Sequence, residues 1–305
     1  MLEIQDNKFI KNNLFYNFDM KNINNKINLV LAGTGQFSAK TFEPLLNDER
    51  FNVLAFISQP NRKLDRNKNV IETEIFKLAK QYDIKVFQPQ KIKEILPELS
   101  AMDFDFFITA SFGQFIPDSI LKLPKKMPLN VHGSLLEKYR GAAPVQYALL
   151  NGDIETGITL IEMVKQMDAG DILESSKVKI DSADTAIEVF DKLADVASKN
   201  LGNWLFEIYN GQYNRVAQDE SKVTFAPKIL NGMERIDQSE NLSSVVNKIR
   251  AFNDEPGAYL IYQNKRLKIF RASTTKISTP LKIKFNDGYL YLIEYQFEGK
   301  KRVRV

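Results

Sequence analysis

From residue 27 onward the chain alternates short apolar runs with stretches of helical spacing. Residues 27–32 form an apolar run, Gly33-Thr34-Gly35 reads as a turn, and 38–46 has the period of a helix. Residues 52–57 predict a second strand, 71–81 a second helix, 86–87 a third strand and 92–96 a helical turn. Residues 104–110 are almost wholly apolar, as a strand is when both faces of its sheet are covered. Residues 129–132 read as a fifth strand and 142–151 as a helix. Alternation of this kind predicts an α/β fold built on a doubly wound, mostly parallel sheet.

Further along, 157–163 and 171–179 predict a strand pair. From 183 to about 209 the apolar positions Ile187, Phe190, Leu193, Ala194, Ala197, Leu201, Trp204, Leu205 and Ile208 follow helical spacing, with Asp181 or Ser182 as the start signal. Residues 211–237 show no period and read as a linker. The remaining segment, 238–305, opens with a helix over 242–251. It then predicts strands over 258–262, 267–272, 281–285 and 289–297, with turns at Gln263-Asn264 and Asn286-Asp287-Gly288. Short strands with such turns predict a small β-barrel of OB-like type. Residues 1–26 are rich in Asn, lack any clean period and are expected to be a poorly ordered extension. Met20, just before the first strand, is an expected alternative start. Acidic residues and the lack of arginine in this stretch argue against an organellar transit peptide. The expected division is therefore an extension (1–26), an α/β domain (27–210), a linker (211–237) and a barrel-like domain (238–305).

Composition narrows the chemistry. The 305 residues include no Cys and a single His, His132. Thiol nucleophiles, disulfides and zinc–thiolate sites are excluded, and one imidazole cannot build a multi-histidine metal site. A carboxylate-rich Mg or Ca site stays open on composition alone, though no metal is expected. Lack of Cys fits a reducing, cytoplasmic setting, and no apolar run approaches the roughly 18 residues of a membrane helix. Charge is uneven: residues 1–205 carry 25 Lys/Arg against 27 Asp/Glu, whereas 206–305 carry 17 against 11. That asymmetry suggests either a polyanion partner for the C-terminal part or a solvated lysine-rich face.

Gly33-Thr34-Gly35 lacks the rest of a dinucleotide fingerprint. Ser38 stands at the third glycine position, and the second strand ends Ile57-Ser58-Gln59-Pro60 without an acid. A tight strand-to-helix turn is the expected role. The stronger constellation is Asn130-Val131-His132-Gly133. Residues two apart on a strand share a face, so Asn130 and His132 project together at a strand end, where open α/β sheets place ligands. An amide donor beside an imidazole suits oxyanion stabilisation and proton movement; a core histidine bonded to a loop is the plainer alternative. Asp168, in Gln166-Met167-Asp168-Ala169-Gly170-Asp171, is either a carboxylate partner for that imidazole or a turn residue.

Taken together, Asn130-Val131-His132, Ser134-Leu135-Leu136, Tyr139-Arg140-Gly141-Ala142-Ala143-Pro144, Thr156-Gly157-Ile158-Thr159 and Met167-Asp168-Ala169-Gly170-Asp171 closely resemble the formyltransferases that use 10-formyltetrahydrofolate. The likeness runs from about residue 28 to the C-terminus. It includes Ala226-Pro227-Lys228-Ile229 and Pro256-Gly257-Ala258-Tyr259, blocks similar to those of the members that formylate initiator methionyl-tRNA. The resemblance implies a Rossmann-like catalytic domain and a catalytic set of Asn130, His132 and Asp168. It implies a folate pocket formed by Ser111, Phe112, Gly113, Gln114, Phe115, Ile116 and Pro117 with Ser134, Leu135, Leu136 and Glu137. Glu137 and Gly35 stand where the family usually has proline. The resemblance further implies a basic loop for the tRNA acceptor end, here Arg62, Lys63, Arg66 and Lys68. Lys265, Arg266, Lys268, Arg271, Lys300, Lys301, Arg302 and Arg304 are the C-terminal candidates for tRNA phosphates. Two other readings stay open: a sugar-nucleotide N-formyltransferase on the same core, and a catalytically weakened tRNA- or folate-binding homologue. A monomer is expected.

Overall fold

A computed structural model describes residues 26–61 and 70–305. The expected extension up to residue 25 and the basic loop Arg62, Lys63, Arg66 and Lys68 lie outside the described residues. The first domain holds seven strands: β1 (Ile27–Gly33), β2 (Phe51–Ile57), β3 (Val86–Phe87), β4 (Phe106–Ala110), β5 (Met127–His132), β6 (Glu155–Glu162) and β7 (Ile172–Lys179). They form one sheet in the order β3-β2-β1-β4-β5-β6-β7. Strands β1 to β5 pair in parallel, and β6 and β7 join the β5 edge antiparallel.

Side-chain alternation sorts the apolar strands into two buried layers. Leu29, Leu31, Phe106 and Ile108 face one core, which also receives α1 (Gln36–Leu46), α5 (Pro144–Leu150) and α6 (Ala186–Tyr209). Val30, Ala32 and Phe107 face the other, covered by the 3-10 turn Ile92–Ile95 and α3 (Leu96–Ser100). This is why β4 reads as continuously apolar: neither of its faces meets water. The strand order reverses between β1 and β4, and at such a switch point the crevice beyond the strands' carboxyl ends is left uncovered.

Helix starts moved where capping outweighed periodicity. α2 (Glu74–Gln81) begins three residues later than its apolar pattern suggests, because Thr73 accepts a hydrogen bond from Phe76 N as its N-cap. α6 begins after Thr185 rather than near Asp181, since Thr185 and Glu188 form a capping box. The short α4 (Asp118–Leu121) and β12 (Val303–Arg304) were not anticipated; four and two residues carry no readable period.

The C-terminal part contains α7 (Leu242–Ala251), β8 (Tyr259–Tyr262), β9 (Lys265–Ser273), β10 (Lys282–Phe285) and β11 (Gly288–Phe297), with β12 pairing β11. The antiparallel order β10-β11-β9-β8 gives a curled sheet, a half-barrel, with α7 packed against its apolar face. Arg250 of α7 donates to Asp184 O at 2.6 Å and Asp181 O at 2.9 Å, and Arg271 of β9 bonds Glu188 and Ala183 O. The half-barrel is thus held to the start of α6 by charged donors. Among the described residues, no helix is long and apolar enough to cross a membrane.

Burial opposes ionisation of Glu188, but the Thr185 donors and the Arg271 guanidinium overcome it and hold the carboxyl at about 2, against an ordinary value of 4.5. A depressed carboxylate contributes stability that is complete above its unfolded pKa and fades as pH falls toward the folded one. Glu188→Gln is expected to lower the urea midpoint at pH 7. The gap to wild type should narrow progressively between pH 4.5 and pH 2 in urea titrations across that range.

Candidate active site

β5 ends at the switch-point crevice with Asn130 and His132 on one face. His132 is 5% exposed. Its Nε2 lies 2.9 Å from Tyr139 O, and because a carbonyl only accepts, Nε2 carries the proton in that bond. The other nitrogen, Nδ1, lies 3.5 Å from Asp168 Oδ2. Asn130 Nδ2 donates to Asp168 Oδ1 at 3.1 Å. Gly141 N donates to Asp168 Oδ2 at 2.9 Å. One carboxylate therefore gathers an amide and an imidazole from the end of β5 and a backbone N–H from the turn at Gly141.

Local geometry explains why these segments meet. Asp168 has a φ of 52°, the left-handed conformation, which turns the β6–β7 loop back over β5. At Gly141, where φ is 129°, a Cβ would lie 2.5 Å from Ala226 O, so only glycine allows the backbone N–H to reach Asp168 there. At Gly170 a Cβ would lie 1.8 Å from Glu162 O, so this loop seats against β6 only without a side chain.

Two further residues were missed in the sequence. Thr109 of β4 pairs with Asn130 in the sheet register, and its hydroxyl donates to Asn130 Oδ1 at 2.7 Å. That bond leaves Nδ2 as the group facing Asp168 and the crevice. Thr109 is the one hydroxyl in an otherwise apolar strand, a signal that was available. Gln218, whose Nε2 donates to Asp168 O, falls in a stretch without any period and gave none.

A cavity of about 460 Å³ opens beside these groups. Phe37, Phe112, Phe115, Met163 and Phe190 supply apolar wall, and Asn130, His132 and Asp168 stand in its lining. The size falls within the range of small-molecule sites. Ser111, Phe112, Gly113, Gln114, Phe115 and Ile116 all line it; Pro117 sits just beyond, as the N-cap of α4. Ser134, Leu135, Leu136 and Glu137 do not line it. Ser134 is buried with its hydroxyl on Lys138 O, Leu135 abuts Gly157, and Leu136 N bonds Thr159 Oγ1. Glu137 Oε1 accepts from Asp219 N at 2.7 Å. The turn they form is bound by the segment after α6, where Thr224 N donates to Glu137 O and Tyr139 N to Thr224 Oγ1. Among the described residues, no cluster of three His, Asp or Glu is placed to hold a metal ion.

A family model described as formyl transferase matches residues 25–205, and one described as formyl transferase, C-terminal domain, matches 228–305. Methionyl-tRNA formyltransferase of Mycoplasmopsis pulmonis (strain UAB CTIP) is 47% identical over 91% of this chain and 96% of its own length. That of Lactobacillus johnsonii is 39% identical over 91% and 93%. This chain belongs to the methionyl-tRNA formyltransferase family. Among solved structures, a sugar 3N-formyl transferase with dTDP and 5-N-formyl-THF shares the fold at a TM-score of 0.67 and 20% identity, covering 91% of this chain and 100% of its own. HypX from Aquifex aeolicus in complex with tetrahydrofolic acid does so at 0.62 and 17%, covering 92% and 45%.

Family membership also directs attention to the basic C-terminal residues. Arg266 stacks over Tyr259 at 3.7 Å, and Lys268 donates to Pro256 O at 2.8 Å. Arg271 pairs with Glu188 and Glu294, and Arg302 pairs with Asp254 and Glu294 while lying over Phe270. Lys265, Lys300, Lys301 and Arg304 are exposed, with no ion-pair partner among the described residues. Gly141→Ala would drive a Cβ into the Ala226 carbonyl at a φ that alanine disfavours. Thermal unfolding should report a loss of about 1–3 kcal/mol, and formyl-transfer assays a matching loss of activity.

Proposed function

We infer that this protein transfers the formyl group of 10-formyltetrahydrofolate to the α-amine of initiator methionyl-tRNA. The observation that carries the reading is the convergence of Asn130, His132 and Asp168 on one end of an apolar cavity, in a chain 47% identical to a methionyl-tRNA formyltransferase. Support for a folate comes from the cavity's size and from the aromatic side chains Phe37, Phe112, Phe115 and Phe190 in its lining, which offer apolar surface to a flat ring.

The donor, when bound, supplies an acyl carbon at the amide level, which the neutral amine attacks. Negative charge then develops on the formyl oxygen. Asn130 Nδ2 has one hydrogen on Asp168 and a second free to donate toward that oxygen. Such a donor, aimed in advance in a site of low polarity, lowers the barrier by roughly 3–4 kcal/mol. Tyr139 O occupies His132 Nε2, so the imidazole acts through Nδ1, the nitrogen beside Asp168. A proton leaving the amine reaches the folate nitrogen through this imidazole–carboxylate pair or a water it holds. The new N–C bond forms first, giving a tetrahedral centre whose collapse breaks the C–N bond to folate, and no covalent enzyme intermediate is required.

Lys265, Lys300, Lys301 and Arg304 are the C-terminal charges left for tRNA phosphates, together with Arg62, Lys63, Arg66 and Lys68 of the loop outside the described residues. Every group assigned to the chemistry comes from one chain, so a monomer suffices, and the reaction belongs to the cytoplasm with translation initiation. The sugar-nucleotide reading rests on likeness of fold alone; incubation with amino-sugar nucleotides distinguishes it.

With purified protein, 10-formyltetrahydrofolate and charged initiator tRNA, His132→Ala and Asp168→Asn should each lower turnover by at least about 10²-fold, with the fold retained by circular dichroism. Near-wild-type turnover in either variant removes that residue from the mechanism. Replacing Lys300 and Lys301 by Ala should weaken tRNA binding and reduce the slope of log K against log salt by roughly 1 for each lysine, read by filter binding at several salt concentrations.

A further inference from the structure

Gln218 lies in the irregular segment between the two domains and does not line the cavity. Its Nε2 donates to two backbone carbonyls of the catalytic turn, Asp168 O at 2.8 Å and Gly170 O at 2.7 Å. Its Oε1 accepts from Arg140 Nε at 2.9 Å. Arg140 is 2% exposed, and the rest of its guanidinium is taken by Glu220, NH2 to Oε1 at 2.8 Å and NH1 to Oε2 at 3.3 Å. A guanidinium only donates, so the Gln218 amide has one allowed orientation, oxygen toward Arg140 and nitrogen toward the turn.

The segment carrying Gln218 is itself anchored. Val216 and Ile172 exchange backbone hydrogen bonds at 2.8 and 2.9 Å, and Asp219 N bonds Glu137 Oε1. The turn needs such support, because the left-handed backbone of Asp168 is costly for a residue with a side chain and persists only where its surroundings over-determine it. Contact of Gly170 with β6 fixes one end of the turn. Gln218 fixes the two carbonyls that set the direction of the Asp168 side chain.

We propose that Gln218 is a positioning residue for formyl transfer: it holds the Asp168 turn in the conformation that aims the carboxylate at Asn130, Gly141 and His132. The proposal rests on the reading above that Asp168 takes part in the chemistry. Because Gln218 does not itself line the cavity and acts through Asp168, its loss acts on the catalytic step rather than on substrate binding.

Two variants separate this role from a simple clamp on Arg140. Gln218→Met keeps the length and loses every polar contact. Gln218→Glu keeps an acceptor for Arg140 but cannot donate, and sets a carboxylate against the carbonyls of Asp168 and Gly170. Both are expected to lower kcat on the order of 10- to 100-fold, with KM for folate and tRNA within about threefold of wild type. Their crystal structures should show the Asp168 carboxylate released from Gly141 N. Wild-type kcat in Gln218→Glu, or an undisturbed Asp168 in both structures, overturns the proposal. Should Gln218→Met fail to fold, Gln218→Glu with its Arg140 pair carries the test. A wild-type protein that does not formylate methionyl-tRNA would overturn the functional reading instead, and the two crystal structures would still decide whether Gln218 positions the turn.

Discussion

A single carboxylate organises the site. Asp168 has a side chain only 11% exposed, and a charge so withdrawn from water is tolerated only when donors surround it. Here Asn130 Nδ2 and Gly141 N donate to it, and the imidazole of His132 lies 3.5 Å away. The groups that meet there arrive on separate parts of the chain: Asn130 and His132 on a strand end, Gly141 in a glycine turn and Asp168 itself in a loop between antiparallel strands. The site is therefore a statement about tertiary structure, and the surrounding features are best understood as means of keeping that carboxylate in place.

The sheet supplies the frame. Parallel strands β1, β4 and β5 end together at the switch point, and the antiparallel addition of β6 and β7 returns the chain so that the loop between them overhangs the end of β5. Apolar side chains make up most of the cavity lining beside Asn130, His132 and Asp168. In such surroundings a pre-aimed donor interacts more strongly with developing charge than it would in water. The same apolar walls offer surface to a flat aromatic ring.

Charge in the C-terminal domain illustrates how a residue count misleads about a binding face. The tail is strongly basic, yet Arg271 and Arg302 both reach Glu294, and Arg271 also ties the half-barrel to α6 through Glu188. Those guanidiniums serve internal cohesion. Planar, bidentate groups are the ones drawn into such pairs, whereas the lysines at 265, 300 and 301 stay in water. Much of the apparent electrostatic signal is spent inside the fold.

Periodicity and burial made the strand–helix alternation, the apolar character of β4 and the pairing of Asn130 with His132 on one face legible in the amino-acid order, because each depends on residues close together in the chain. The blocks around Asn130, Arg140 and Asp168 marked the family for the same reason. Contacts between distant segments were not legible. Thr109 orients Asn130 through strand pairing, Gln218 reaches the Asp168 turn from 50 residues away, and Glu137 is drawn outward to Asp219. A hydrogen bond is decided by positions in space, and short elements or aperiodic stretches carry no local trace of where they will lie. The chain order thus determined which residues were available for chemistry, and the tertiary structure decided which of them face the carboxylate.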